Sequence, residues 1–241
     1  MRKTLTRWIF YLSGLFLLAV GLTLNTKTGL GTSCIISIPF TVSQIWGLNF
    51  GNTTFALYVL FVLVQLVLIA LTANRYARPQ QRIRYLQALL QLPFSKLFTW
   101  AMNLVSEAVP VLAEAYPDRF PGTLPGRITV LLLAVTLIGV GTSLSLNMQL
   151  VPNTGDGIVR GLAEFFRIQV GLMKNIFDCC CCLLSLVLGL VLTGQVLGIG
   201  LGTLVAALGV GRIIALCNRL FGARLCRLAG VEQDATAKQE K

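Results

Sequence analysis

Four ionisable side chains interrupt otherwise apolar stretches of the sequence: Lys96, Glu107, Asp178 and Arg212. A charge at the centre of a bilayer costs about 2.5–3.5 kcal/mol on insertion scales, so such groups are kept for pairing or for use. Lys96 and Arg212 each close a Pro- or Gly-containing run, Pro93-Phe94-Ser95-Lys96 and Gly209-Val210-Gly211-Arg212. Brought together, the two cations would hold an anion. Snorkelling to an interface, or pairing with Glu107 and Asp178, is the competing explanation. Glu107 has Asn103 four residues before it and Ser106 beside it, the setting of a proton-carrying carboxylate. Asp178 follows Lys174 by one helical turn, and an ion pair accounts for it.

Two Gly-rich runs offer a second kind of chemistry. They are Thr28-Gly29-Leu30-Gly31-Thr32-Ser33 and Pro152-Asn153-Thr154-Gly155-Asp156-Gly157. Each predicts a turn followed by a short helix, starting near Ser33 or Asp156, both favoured N-cap types. The free N–H groups of a helix start favour an anion, and the Thr32 and Ser33 hydroxyls would add contacts. Asp156, at the matching place in the second run, would repel an anion, so the charge of a substrate stays open. Asp156, Arg160 and Glu164 are spaced by four and predict a salt-bridged helix face. Neither run is a nucleotide loop, because no strand precedes it and no Gly-Lys-Ser/Thr follows.

Other chemistry is thinly represented. Histidine is absent, which removes imidazole relays and His metal sites. Four of the seven cysteines are consecutive, Cys179 to Cys182. Successive helical residues point about 100° apart, so this run cannot converge on one metal ion. No metal, cofactor or nucleophile–base pair is expected, and an enzyme is the least favoured class.

These residues must be positioned by membrane helices. The 241 residues are 55% hydrophobic and only 12% charged, with a mean hydropathy of +0.77. Soluble domains carry about 25% charged residues. Stretches 8–24, 53–74, 128–146, 176–192 and 196–217 are each apolar enough to span, and 89–113 is a sixth, interrupted one. The first resembles the opening of a signal peptide but reads as a retained span. Segments 31–46 and 157–168 are too short or too charged to cross and are expected to be re-entrant or interfacial. The +11 net charge then reports topology rather than nucleic-acid binding. With the N-terminus inside, Arg2, Lys3, Arg7, Arg75, Arg78, Arg82, Arg84, Arg160, Arg167, Lys174 and the basic residues after 218 face the cytoplasm. Lys27, Arg119 and Arg127 face outward.

The expected fold is therefore an all-α integral membrane protein of about six transmembrane helices and two short ones. Its order of motifs repeats, as two inverted three-span repeats at 1–115 and 116–222, followed by a cytoplasmic polar tail at 223–241. Gly194, Gly198, Gly202 and Ala206, spaced by four, predict one small-residue packing face on the last span. Gly29-Leu30-Gly31-Thr32-Ser33, Gly155-Asp156-Gly157 and Gly198-Ile199-Gly200-Leu201-Gly202-Thr203 resemble motifs of the uncharacterised YczE/YyaS/YitT-type bacterial multi-pass membrane proteins. The likeness covers residues 8–222 and departs at Cys34, where proline is expected. It implies a protein of the bacterial cytoplasmic membrane and supplies no activity.

Inverted halves and broken helices are the plan of many secondary transporters. The expected function is a small-solute transporter or permease, with Lys96, Arg212, Glu107, Thr32, Ser33 and Asp156 as candidate substrate contacts. The alternative is an accessory or regulatory membrane protein that binds a partner through its basic cytoplasmic face. The lipid bilayer is the expected partner in both, and a homo-oligomer is left open.

Overall fold

The computed structural model describes residues 2–75 and 77–231, and these are helical with short connections. In chain order the helices are α1 (Arg2–Lys27), α2 (Cys34–Trp46), α3 (Phe50–Leu71), α4 (Arg78–Ala108) and α5 (Leu112–Ala115). Then come α6 (Leu124–Asn147), α7 (Thr154–Phe166), α8 (Val170–Thr193), α9 (Leu201–Cys217) and α10 (Ala223–Ala229). Among the described residues, 5 helical stretches are long and apolar enough to cross a membrane: Lys3–Lys27, Phe50–Leu71, Leu124–Asn147, Val170–Thr193 and Leu201–Ala229. The chain is a membrane protein by this measure. Large apolar side chains such as Leu183, Val191, Leu204 and Leu208 point outward, where hydrocarbon rather than water suits them.

The centre of the bundle is the antiparallel pair α1 and α6. Glycines bring the two backbones together: a Cβ on Gly14 would lie 2.8 Å from the Gly141 carbonyl, and one on Gly141 only 2.6 Å from the Leu18 nitrogen. Both ends of the pair are clasped by arginine. Arg7 Nε donates to the Met148 carbonyl at 2.6 Å and its Nη2 to that of Gln149 at 2.9 Å, just past the end of α6. Arg127 Nε donates to the Thr28 carbonyl at 2.6 Å, just past the end of α1. Helix C-termini leave carbonyls unpaired and carry partial negative charge, which a guanidinium satisfies on both counts.

Around this pair, α4 packs on α1 and α3, while α9 packs on α6. The short helices bridge between them: α2 lies against α8 and α3, and α7 against α3 and α8. α2 has Ser33 as N-cap and ends at Gly47 in the left-handed region (φ 61). α7 has Asn153 as N-cap and ends at Arg167 in the same conformation (φ 59).

Several expectations need correction. α4 runs unbroken through Pro93, and α9 runs unbroken through Gly209–Arg212. Proline is tolerated inside membrane helices because neighbouring elements make good the lost hydrogen bond. The departure from regularity falls later, in a π-helical turn at Asn218–Gly222. α7 starts before Asp156, at Thr154. The small-residue face does not form on one helix, because α9 begins only at Leu201. Gly194 instead ends α8 with φ 69, and Gly198 lies in the connection with φ 73. Both are left-handed positions that suit glycine. Gly202 and Ala206 do share a buried face of α9. The segment expected as a polar tail starts as helix α10, whose Ala229 packs with Tyr11, Leu15 and Met148, and residues 232–241 lie outside the described residues.

Candidate functional site

A cleft of about 440 Å³ lies between α3, α4 and α7. Its α4 wall carries Gln80, Arg84, Gln87, Ala88 and Gln91, whose spacing of three and four places them on one helix face. α3 adds Gln65 and Ile69, and α7 adds Gly157, Arg160, Gly161 and Glu164. The cleft lies at the end of the bundle where α3 gives way to α4.

At its floor the Gln65 and Gln91 amides bond each other twice, Nε2 to Oε1 at 3.0 Å in both directions. Their exposures are only 5% and 3%. Each amide owns two N–H donors and one two-lone-pair oxygen, so the pairing leaves each with one N–H and one lone pair. Gly157 makes room for them: a Cβ there would lie 2.7 Å from Gln65 Oε1 and 2.7 Å from Gln91 Nε2. Beyond the pair, Ser95 Oγ and Thr154 Oγ1 share a hydrogen bond of 2.6 Å, which ties the start of α7 to the middle of α4. Toward the mouth, Arg84 forms a salt bridge with Glu164. Arg75 Nη1 donates to the Glu164 carbonyl at 2.8 Å. Arg160 is exposed.

A second polar cluster lies against the α8–α9 connection, and it is filled. Thr41 Oγ1 and Ser185 Oγ are 2.7 Å apart, and Ser185 Oγ also donates to the Ser37 carbonyl at 3.1 Å. Thr41 Oγ1 donates to the Leu197 carbonyl at 3.1 Å. Thr32 donates to the Gly198 carbonyl twice, from its backbone N–H at 2.9 Å and from Oγ1 at 3.0 Å. Gly202 N–H donates to the Leu30 carbonyl at 2.7 Å. The connection between α8 and α9 is thus stitched down onto α2 and the turn before it.

The structure separates most of the residues expected to act together. Lys96 is exposed on α4, its ammonium 4.9 Å from the centroid of the Phe55 ring, and Arg212 is exposed on α9. Lys96 thus lies against α3, whereas Arg212 is on α9, which packs on α6, and neither residue lines the cleft. Glu107 is exposed in the last turn of α4. Thr32 is buried at the second cluster, while Ser33 caps α2 without a side-chain cap bond. Asp156 is half-buried and sits 4.0 Å from Lys174, which is also 3.7 Å from Asp178. The expected Lys174–Asp178 pair is present. The expected ladder along α7 is not, because Glu164 pairs across to α4 and Asp156 across to α8.

Gln65, Gln91, Arg84 and Gly157 are the functional candidates that sequence reasoning missed. Gln65 carried a readable signal, a neutral amide in the middle of an apolar span. Among the described residues no group of three or more His, Cys, Asp or Glu side chains converges as a metal site would require.

A family model covers nearly the whole chain: residues 5–219 match DUF6198, a family of unknown function. No curated protein and no solved structure matches.

Proposed function

We propose that the chain, which belongs to the DUF6198 family, is a permease for a small polar solute, built as two inverted repeats with alternating access through the α3–α4–α7 cleft. The repeat reading is supported by features that recur at one constant interval along the chain. The N-caps Ser33 and Asn153 correspond, as do the left-handed residues Gly29 and Gln149, and Gly47 and Arg167. Arg7 clasping Met148 corresponds to Arg127 clasping Thr28. The neighbours correspond too, α1 on α4 with α6 on α9, and α2 on α8 with α7 on α3. α4 serves as the sixth span, since it must return the chain from the end of α3 to the loop before α6.

The observation that carries the proposal is an asymmetry between corresponding sites. At the same interval Gln65 answers to Ser185, Gly157 to Ser37 and Gly161 to Thr41. The first of these sets borders an open cleft, and the second is roofed by the Leu197 and Gly198 carbonyls. One site open at one face and its counterpart sealed at the other is the arrangement expected of alternating access caught in one state. The basic residues of the α3–α4 and α7–α8 connections support a cytoplasmic open face. This agrees with a bacterial cytoplasmic-membrane protein of the YczE/YyaS/YitT type, with both termini inside. Among the described residues the cleft lining carries no hydroxyl, thiol or imidazole, which favours passage over covalent chemistry.

The test couples the two faces. In a cysteine-free background, Gly161→Cys reports the cytoplasmic cleft and Ser37→Cys reports the sealed site, each read with a membrane-impermeant thiol reagent. Thr41→Val with Ser185→Ala removes bonds that hold the seal. It should raise labelling of Ser37→Cys from outside and lower labelling of Gly161→Cys from inside. If the first rises while the second is unchanged, the two faces are uncoupled, and the accessory-protein reading replaces the permease.

A further inference from the structure

We propose that the cleft takes a small organic anion, with its charged group at Arg160 and its hydrogen-bonding part on the free edges of the Gln65–Gln91 amide pair. This rests on the permease reading and names its substrate class. Among the described residues the ionisable side chains of the lining are Arg84, Arg160 and Glu164, a net charge of one positive. The one carboxylate among the described lining residues is ion-paired with Arg84, and Arg75 donates to the backbone carbonyl of the same residue. Asp156, one turn before Arg160 on α7, is drawn to Lys174 on α8. Among the described residues Arg160 therefore has no carboxylate in ion-pair range. A cationic solute would meet two guanidinium groups and a neutralised acid, a repulsive element that specificity commonly uses.

The amide pair supplies the other half of the recognition. Its unused N–H groups and lone pairs belong to side chains that are almost fully buried, so a ligand that leaves them unpaired pays a desolvation penalty. Such a floor selects a polar, hydrogen-bonding solute over a purely apolar acid. The glycine face of α7 gives it space. A Cβ on Gly161 would meet nothing nearer than Leu68 Cδ1 at 3.4 Å, so the backbone there lies open to the cavity. A volume of about 440 Å³ is within the range of small-molecule sites.

The electrostatic claim can be tested without knowing the solute. The protein carrying Gly161→Cys, with its native cysteines replaced, is treated from the cytoplasmic side with two thiol reagents. One is the anionic sulfonatoethyl methanethiosulfonate and the other the cationic trimethylammonioethyl methanethiosulfonate, and each rate is divided by its rate with a free thiol. The anionic reagent should be favoured about tenfold at low salt, since the two differ by two unit charges. The preference should shrink as salt is added. Arg160→Gln should cut it by more than half, and Gln87→Cys should repeat the pattern from the α4 wall. A preference for the cationic reagent, or one unmoved by Arg160→Gln, overturns the anion assignment while leaving an open cleft. A cleft cysteine inert to both reagents at either position overturns the permease reading on which the assignment stands.

Discussion

Gly157 and Gly161 lie one turn apart on α7 and face the same cleft, which makes them a matched pair for testing how the amide floor is built. Replacing either by alanine adds the same methyl group and gains the same helix propensity, about 1 kcal/mol over glycine. At 161 the new methyl meets Leu68 at an ordinary contact distance of 3.4 Å. At 157 it would lie 2.7 Å from both Gln65 Oε1 and Gln91 Nε2. Those atoms are the ends of flexible side chains, so the clash is relieved by rotating the amides, and the cost is their mutual hydrogen bonds. Two buried bonds at about 0.5–1.5 kcal/mol each give about 1–3 kcal/mol. Membrane interiors lie toward the lower end of that range. Because the propensity gain cancels between the two variants, Gly157→Ala should be about 1–3 kcal/mol less stable than Gly161→Ala. Reversible unfolding of the purified protein in detergent measures the difference. In a Gln65→Leu, Gln91→Leu background the gap should close, since nothing is left to break. Equal stabilities in the parent background would refute the reasoning, because the amide pair would then not depend on a bare α7 backbone.

Two further predictions concern the scaffold. Gly141→Ala places a Cβ 2.6 Å from the Leu18 nitrogen and 2.7 Å from the Gly14 carbonyl, backbone atoms that cannot rotate away. It should cost about 1–3 kcal/mol by forcing α1 from α6. Gly211→Ala, with nothing within 4 Å, should be neutral or stabilising, and unfolding midpoints in detergent compare them. Arg7→Leu removes charge-assisted bonds to two carbonyls past α6, and Arg127→Leu removes one past α1. Each should lower stability by about 1–3 kcal/mol, and lysine should rescue poorly because it lacks the planar fork. Full rescue by lysine would mean that the clasps act as bare charges.

The helices were legible because hydropathy and turn chemistry act locally. Ser33 and the apolar run read from residue 53 each announce an element without reference to the rest of the chain, and the structure places them at the start of α2 and within α3. Lys174 and Asp178 are likewise one turn apart, and the structure pairs them. Lys96 and Arg212 stand out in the sequence by their rarity in apolar runs, but helical phase decides which face each occupies. The buried face of α4 follows Ala88, Gln91, Ser95, Phe98 and Met102, in steps of three and four, and Lys96 falls off it. On α9 Gly202 and Ala206 are buried and Ile213 touches Gly139, which puts Arg212 on the other side. Gln91, by contrast, is on phase, and a polar residue on a buried face needs a partner. Which partner it finds is a question of tertiary packing: Gln65 belongs to another helix, and no local pattern joins them.

The contrast between the two ends of the bundle also has a cause in the residues. After α3 the chain re-forms a helix within a few residues, and the first turns of α4 carry Gln80, Arg84 and Gln87, side chains that suit a watered wall. After α8 the corresponding stretch reads Gln195-Val196-Leu197-Gly198-Ile199-Gly200, largely apolar and rich in glycine. It cannot face a polar cleft with profit. It folds down instead, its carbonyls taken by Thr32 and Thr41, with Gly194 and Gly198 in the left-handed region that lets the chain turn. A Cβ on Gly198 would lie 3.1 Å from both Phe40 and Thr41 Oγ1, so the close seat on α2 also depends on glycine. In the proposed permease, opening this end would break a few hydroxyl–carbonyl bonds and swing a segment that has glycines at two left-handed positions. Under the permease proposal, closing the other would mean burying Arg84 and Arg160, which a bound anion would make tolerable by offsetting their charge. The bound solute would then supply the differential interaction that a population shift between the two states requires.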